Sequence, residues 1–216
     1  MSRYEISGGE ESQYQAGADN KVLRNKLGIT SVIEMDRAES LALADAKSQV
    51  LTWFADDTVI TLKTINDLYS LWLSPIYSFT GRYRTVNMSK PGITFCVAEH
   101  IPSNMLALEK EYLIPLTPCR NLDLVQVCHR VAKVHAELLL IHPFREGNGR
   151  LARWVADLMV MQAGFPAPSY DIFGSNAKPR LAAYFAALRK GYFLQDVSEL
   201  SQLFQGWVLN AKGDPL

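Results

Sequence analysis

Along most of the chain apolar residues return every three or four positions, the period of a helix with one buried face. Residues 36–54 carry Ala, Leu and Val at those intervals with no Gly or Pro, which predicts a helix. A second is expected over residues 64–73, ended by Pro75. Between Gly81 and Ile101 the pattern changes. Residues 83–88 and 93–97 are β-prone, and Lys90-Pro91-Gly92 between them is a turn signal, so a hairpin over residues 83–97 is the one β element predicted. Helices follow at 103–112, 122–141, 150–163 (closed by Gly164), 179–189 and 197–209. The strongest is 122–141, where Leu124, Val127, Val131, Val134, Leu138 and Ile141 repeat at helical spacing. The predicted fold class is mainly α: a single helical bundle with one small β-hairpin. Residues 1–20 are Gly-, Ser- and Glu-rich and read as a flexible polar leader, with one domain over 21–216.

Composition narrows the partners. Hydrophobic residues make up 48% and charged residues 20%, ordinary for a globular chain. Lys plus Arg and Asp plus Glu balance at 22 each, so no global field draws the protein to nucleic acid or to an anionic membrane, and neither is expected as a partner. No apolar run approaches a membrane span, and the N-terminus lacks the apolar core of a signal peptide. Cys96, Cys119 and Cys128 are odd in number and unpatterned, which argues for a reducing compartment, expected to be the cytoplasm.

Candidate chemistry gathers between the two central helices, in the run His142-Pro143-Phe144-Arg145-Glu146-Gly147-Asn148-Gly149-Arg150-Leu151-Ala152-Arg153. Pro143 disfavours helix at His142, so the long helix should stop there and present the imidazole. Gly147-Asn148-Gly149 tolerates positive φ just before the next helix, so successive backbone N–H groups can point into one concavity backed by that helix's N-terminus. Arg150 and Arg153 share one helix face, where cations oppose the macrodipole unless an anion lies between. A polyphosphate suits the place, and Glu146 supplies the hard oxygen that a bridging Mg²⁺ needs. Phe144 is expected to anchor the loop in the core. His142 is the loop's one side chain able to act as a general base near neutral pH. Each residue alone has an ordinary structural explanation; their conjunction does not.

The run from His142 to Arg153 resembles the signature of the Fic (filamentation induced by cAMP) family, His-Pro-Phe-x-Asp/Glu-Gly-Asn-Gly-Arg-x-x-Arg, at every specified position. The stretch from Val22 to Ile29 resembles the opening segment of many bacterial members. Tyr77-Ser78-Phe79-Thr80-Gly81-Arg82-Tyr83-Arg84 resembles the family's Tyr-x-Trp-Ala-Gly-x-x-Arg segment, with Phe79 and Thr80 departing from Trp and Ala. The resemblance implies a Fic-type bundle in which the hairpin is a flap near the active site. It also implies protein adenylylation, in which AMP from ATP is placed on a Ser, Thr or Tyr hydroxyl and pyrophosphate is released. In that scheme His142 is the base and Glu146 holds Mg²⁺. Gly147, Asn148 and Gly149 cradle phosphate, Arg150 and Arg153 bind the outer phosphates, and Pro143 and Phe144 anchor the loop. The target protein would dock on the 83–97 hairpin through backbone hydrogen bonds.

Many members are silenced by a helix bearing Ser/Thr-x-x-x-Glu-Gly/Asn. Thr30-Ser31-Val32-Ile33-Glu34 comes close, but Met35 follows it; Ser201 to Gly206 has the right ends, but carries Gln205 where the acid belongs. Glu34 is the better inhibitory candidate, and the mismatch at both places favours control by a separate antitoxin-like protein. Relatives of this fold that phosphorylate or transfer phosphocholine are the alternatives. The intact Gly147 to Arg150 run favours AMP over phosphate transfer. A non-catalytic binding module is disfavoured by the retained base, acid and both arginines. A metal site from His129, His135 and His142 is not expected, because their spacing spreads them along a helix.

Overall fold

The computed structural model describes residues 5–7, 13–90, 93–174 and 177–211. Eight helices carry most of the described chain: α1 (Val32–Val50), α2 (Leu62–Leu73), α3 (Ile101–Leu108), α4 (Ile114–Leu116), α5 (Leu124–Ile141), α6 (Asn148–Gln162), α7 (Lys178–Leu194) and α8 (Ser198–Ala211). A π turn, Glu109–Leu113, joins α3 to α4. The mainly helical class read from the sequence holds.

Local chemistry explains the boundaries. Ser31 caps α1 by accepting from the Glu34 amide, so the helix starts four residues ahead of the position its apolar period suggested. Thr61 and Thr64 form a capping box that opens α2 before its first apolar residue. The α2 face then buries Ile65, Leu68, Tyr69, Trp72 and Leu73, the spacing of a single helical stripe. α7 runs on to Leu194 and ends on Gln195 in the left-handed conformation, five residues beyond expectation.

The hairpin is present, shorter than predicted: β2 (Asn87–Lys90) pairs antiparallel with β3 (Ile93–Thr94). Pro91 and Gly92 of the turn signal lie outside the described residues. Val86, Met88, Ile93 and Phe95 pack as a small apolar cluster that gives the ribbon its own core. A third strand was not foreseen. β1 (Glu5–Ser7) pairs antiparallel with β2, placing Glu5 opposite Ser89 and Ser7 opposite Asn87 within the stretch read as a leader. Further on, Tyr14 bridges Leu23 and Ala18 is buried.

The chain divides into two compact units of interleaved segments. One holds Met1–Phe54, Thr61–Leu106 and Ile141–Asn148, and therefore α1, α2, the three strands and the first half of the motif loop. Its core centres on α2, with Trp72 Nε1 donating to the Glu39 carbonyl and the Tyr77 hydroxyl to the Glu39 carboxylate. The other holds Ala55–Ile60, Ala107–Leu140 and Gly149–Leu216. Its core is built by α5, α6, α7 and α8, with Val131, Val155, Leu188 and Phe204 buried. No helix among the described residues is long and apolar enough to cross a membrane.

Candidate active site

α5 ends at Ile141, as Pro143 requires, and His142 takes a left-handed backbone (φ +53°) that turns the chain out of the helix. Such a backbone is strained for a residue with a Cβ and persists only where its surroundings enforce it. Arg84 enforces it. Buried and reaching from the loop before β2, it donates from Nε to the His142 carbonyl at 2.7 Å. The rest of its guanidinium donates to the carbonyls of Val86, Cys96 and Ile141. In return the Arg84 amide donates to the Pro143 carbonyl at 2.8 Å. One side chain therefore ties the hairpin to the end of α5. The His142 ring, 3% exposed, stacks on Phe95 with centroids 3.8 Å apart and planes 17° apart. The hairpin's apolar cluster thus forms one wall of the candidate base.

Phe144 anchors the loop as expected, fully buried and stacked on Tyr69 at 3.8 Å. Asn148 closes the loop by a different means from the one its position suggests. Its Nδ2 donates to the Phe144 carbonyl at 2.7 Å and its Oδ1 accepts from the Phe144 amide at 2.9 Å. With the side chain occupied, Asn148 offers a ligand only its backbone N–H at the start of α6. Gly147 has φ +81°, and a Cβ there would lie 2.8 Å from two ring carbons of Trp72, so the turn needs glycine sterically as well as conformationally. Its amide donates to Glu146 Oε1 at 3.0 Å, which orients that half-buried carboxylate.

Past Asn148 the same helix runs on within the second unit. Among the described residues a Cβ on Gly149 would meet only Arg153 Nη1, at an ordinary 3.7 Å, so none of them excludes a side chain there. Space kept open over a helix N-terminus is what an approaching anion requires. Arg150 and Arg153 are both half-buried on the first turns of α6. The Arg153 guanidinium lies 4.8 Å from the Phe173 ring centroid and 5.9 Å from that of Tyr170. Its charge also favours the ionised form of the nearby Tyr184 hydroxyl.

Behind it is a buried polar chain that sequence reasoning did not find. His135 Nδ1 faces the Ala152 carbonyl at 3.2 Å, so that nitrogen carries the proton, and Nε2 accepts from the Tyr184 hydroxyl at 2.8 Å. Burial, and secondarily the nearby Arg153 charge, hold the His135 imidazole neutral, down to about 3. Burial likewise raises Tyr184 above the usual phenol range. Tyr170, raised by burial and by the neighbouring Asp157 carboxylate, donates to Asp157 at 2.8 Å. His135 thus serves as a core hydrogen-bonding residue, and no group of three or more metal-ligating side chains exists among the described residues. Glu34, the inhibitory candidate, is exposed on the first turn of α1. All three cysteines are free; burial pushes the Cys119 and Cys128 thiols up to about 11 and about 12.

The model of the Fic/DOC family matches residues 59–160, which span α2, the hairpin, α5, the loop and nearly all of α6. The protein adenylyltransferase Fic of Nematostella vectensis is 27% identical over 153 residues, covering 67% of this chain and 33% of that protein. The protein adenylyltransferase VbhT of Bartonella schoenbuchensis is 27% identical over 169 residues, covering 76% of this chain and 33% of that protein. The chain thus spans about a third of the length of these curated relatives. Among solved structures, the BepC protein of Bartonella tribocorum with bound AMPPNP superposes with a TM-score of 0.72 at 17% identity, covering 92% of this chain and 98% of that one.

Proposed function

Because the chain belongs to the Fic/DOC family, we propose that it is a protein adenylyltransferase, moving AMP from ATP to a Ser, Thr or Tyr hydroxyl of a target protein. The observation that carries this reading is the unbroken loop itself, whose His142 carbonyl is clamped by Arg84 and whose imidazole rests on Phe95 of the hairpin. Two similar proteins bear the name protein adenylyltransferase, and BepC, of the same fold, holds AMPPNP.

In the proposed reaction His142 takes the proton of the target hydroxyl, whose oxygen attacks the α-phosphorus of ATP. The bond from that phosphorus to the bridging oxygen breaks, and pyrophosphate leaves. Backbone N–H groups of Gly147, Asn148 and Gly149, with the α6 N-terminus, receive the phosphates, while Arg150 and Arg153 neutralise charge on the leaving group. Glu146 would hold Mg²⁺. A carboxylate oriented by the Gly147 amide, with no group of three or more ligating side chains among the described residues, fits an ion held largely by its substrate rather than by a protein cage. Bound there, the ion would supply charge neutralisation for the phosphates of ATP. A target segment would lie along the exposed side of β3, because β2 is already paired with β1 on its other edge. Three free thiols support action in a reducing compartment such as the cytoplasm.

The test incubates the protein with ATP labelled at the α- or the γ-phosphorus, beside His142→Ala. Protein-bound label from the α position alone is expected, falling at least about 100-fold in the variant. Label from γ and not α would replace this reading with kinase chemistry. Control by a separate antitoxin-like protein predicts that Glu34→Gly leaves autoadenylylation unchanged. A large gain in that variant would instead make Glu34 a built-in inhibitor.

A further inference from the structure

The geometry points to a second anion site in the first unit, a cavity bounded by Arg24, Lys26 and Arg82 that would take a multiply charged phosphate compound of mononucleotide size. It shares no residue with the motif loop. Its volume is about 460 Å³, within the range of small-molecule pockets. Gln13, Ser78 and Phe79 complete much of the wall, and no carboxylate lines it among the described residues.

The chain as a whole is neutral, yet three cations face one concavity. None of them is ion-paired among the described residues. Arg24 Nη1 donates to Gln13 Oε1 at 2.9 Å, and Lys26 Nζ donates to the Ser74 carbonyl at 2.7 Å. Those acceptors are neutral. They orient the cations without cancelling their charge, and each guanidinium retains donors in the fork that matches phosphate oxygens.

The lining is also preorganised. Between the two cations of one arm, Asn25 Oδ1 accepts from the Leu27 and Ile29 amides at 3.1 and 3.0 Å. Its Nδ2 donates to the Leu23 and Ile29 carbonyls at 3.0 and 2.9 Å. The Lys26 amide donates to the Ile76 carbonyl at 2.8 Å, pinning this arm to the chain that leaves α2. The other arm reaches Arg82 through Gly81, whose φ of +83° reverses the backbone. Phe79, 7% exposed and stacked on Tyr77 at 4.7 Å, adds a rigid apolar wall. Three like charges around one cavity, two of them oriented by neutral acceptors, repel one another until an anion joins them, so this arrangement favours the occupied state.

The probe is inorganic pyrophosphate, titrated calorimetrically into the full chain carrying Arg150→Ala and Arg153→Ala, which removes the arginines proposed to bind phosphate at the motif. One equivalent is expected to bind, more weakly as salt rises from 50 to 300 mM in the titration buffer. Adding Arg24→Ala and Arg82→Ala should weaken it at least tenfold. Both positions are exposed, and Arg82→Gln alone, the milder change, should weaken it severalfold without altering the thermal midpoint. No binding at millimolar pyrophosphate, or binding indifferent to Arg24 and Arg82, would overturn the site. Tighter binding of an oligoglutamate peptide than of pyrophosphate at the same cations would overturn the phosphate ligand in favour of an acidic protein segment. Because the readout is binding in a background lacking the motif arginines, failure here is separable from failure of the adenylylation reading.

Discussion

At the scale of single residues, the two glycines of the loop serve different ends, and substitution separates them. An alanine at Gly147 must adopt φ near +81° and push its Cβ against Trp72, whose ring is buried and held by its hydrogen bond to the Glu39 carbonyl. Backbone strain of about 1–3 kcal/mol and overpacking of similar size both act there. Gly147→Ala is therefore expected to lower the unfolding free energy by about 2 kcal/mol or more in denaturant titration. A loss below about 0.5 kcal/mol would show that the turn has another way to relax. Gly149→Ala meets no such contact and gains helix propensity, worth up to about 1 kcal/mol. The fold should survive or strengthen while KM for ATP rises, since the methyl group enters the space proposed for phosphate. An unchanged KM would remove Gly149 from the cradle. The sequence exposed both glycines as turn formers, but the reason for Gly147 is a tryptophan on α2, and that proximity is written only in the fold.

At the scale of elements, the hairpin was legible and its attachment was not. Two β-prone runs around the Lys90-Pro91-Gly92 signal located the ribbon, whereas β1, a three-residue strand, has no period long enough to read. Arg84 appeared in the sequence only as the last position of a resembling segment. In the fold it bonds four backbone carbonyls from both sides of the candidate base. Arg84→Lys keeps the charge but loses the planar fork. The lysine cannot serve both the hairpin and the His142 carbonyl, so the imidazole should lose its fixed position. Misplacement on the scale of 1 Å costs about 100-fold in well-positioned reactions. Transfer by Arg84→Lys is thus expected to show kcat reduced about 10- to 100-fold with KM for ATP changed much less. The opposite split, a raised KM with kcat intact, would mean that Arg84 acts on nucleotide binding instead.

At the scale of the whole molecule, the mainly helical class and the position of the loop between two long helices could be read from periodicity and one motif. The division into two interleaved units could not, because it depends on which distant segments pack together. The buried chain behind Arg153 was hidden for the same reason: His135 looked like one more position on an apolar helix. Its consequence is a pH dependence of folding. In the unfolded chain this imidazole titrates near its ordinary 6.5, while burial holds it neutral in the fold down to about 3. Between those values the unfolded state binds a proton that the folded state does not, so stability is full above pH 6.5 and falls as the pH drops. The slope approaches about 1.4 kcal/mol per pH unit, or about 2 kcal/mol between pH 6.5 and 5. Glu137 acts in the opposite direction, because burial raises its carboxyl and the fold then takes up a proton before the unfolded chain does. The comparison that isolates His135 is therefore a difference. His135→Gln can keep a donor toward the Ala152 carbonyl and an acceptor toward Tyr184, but it cannot titrate. It should cost stability at pH 7.5 and lose that deficit as the pH approaches 5, the two thermal midpoints converging. Parallel midpoints from pH 7.5 to 5 would show that His135 is protonated in the fold. The Tyr184 hydroxyl would then lose its acceptor on His135.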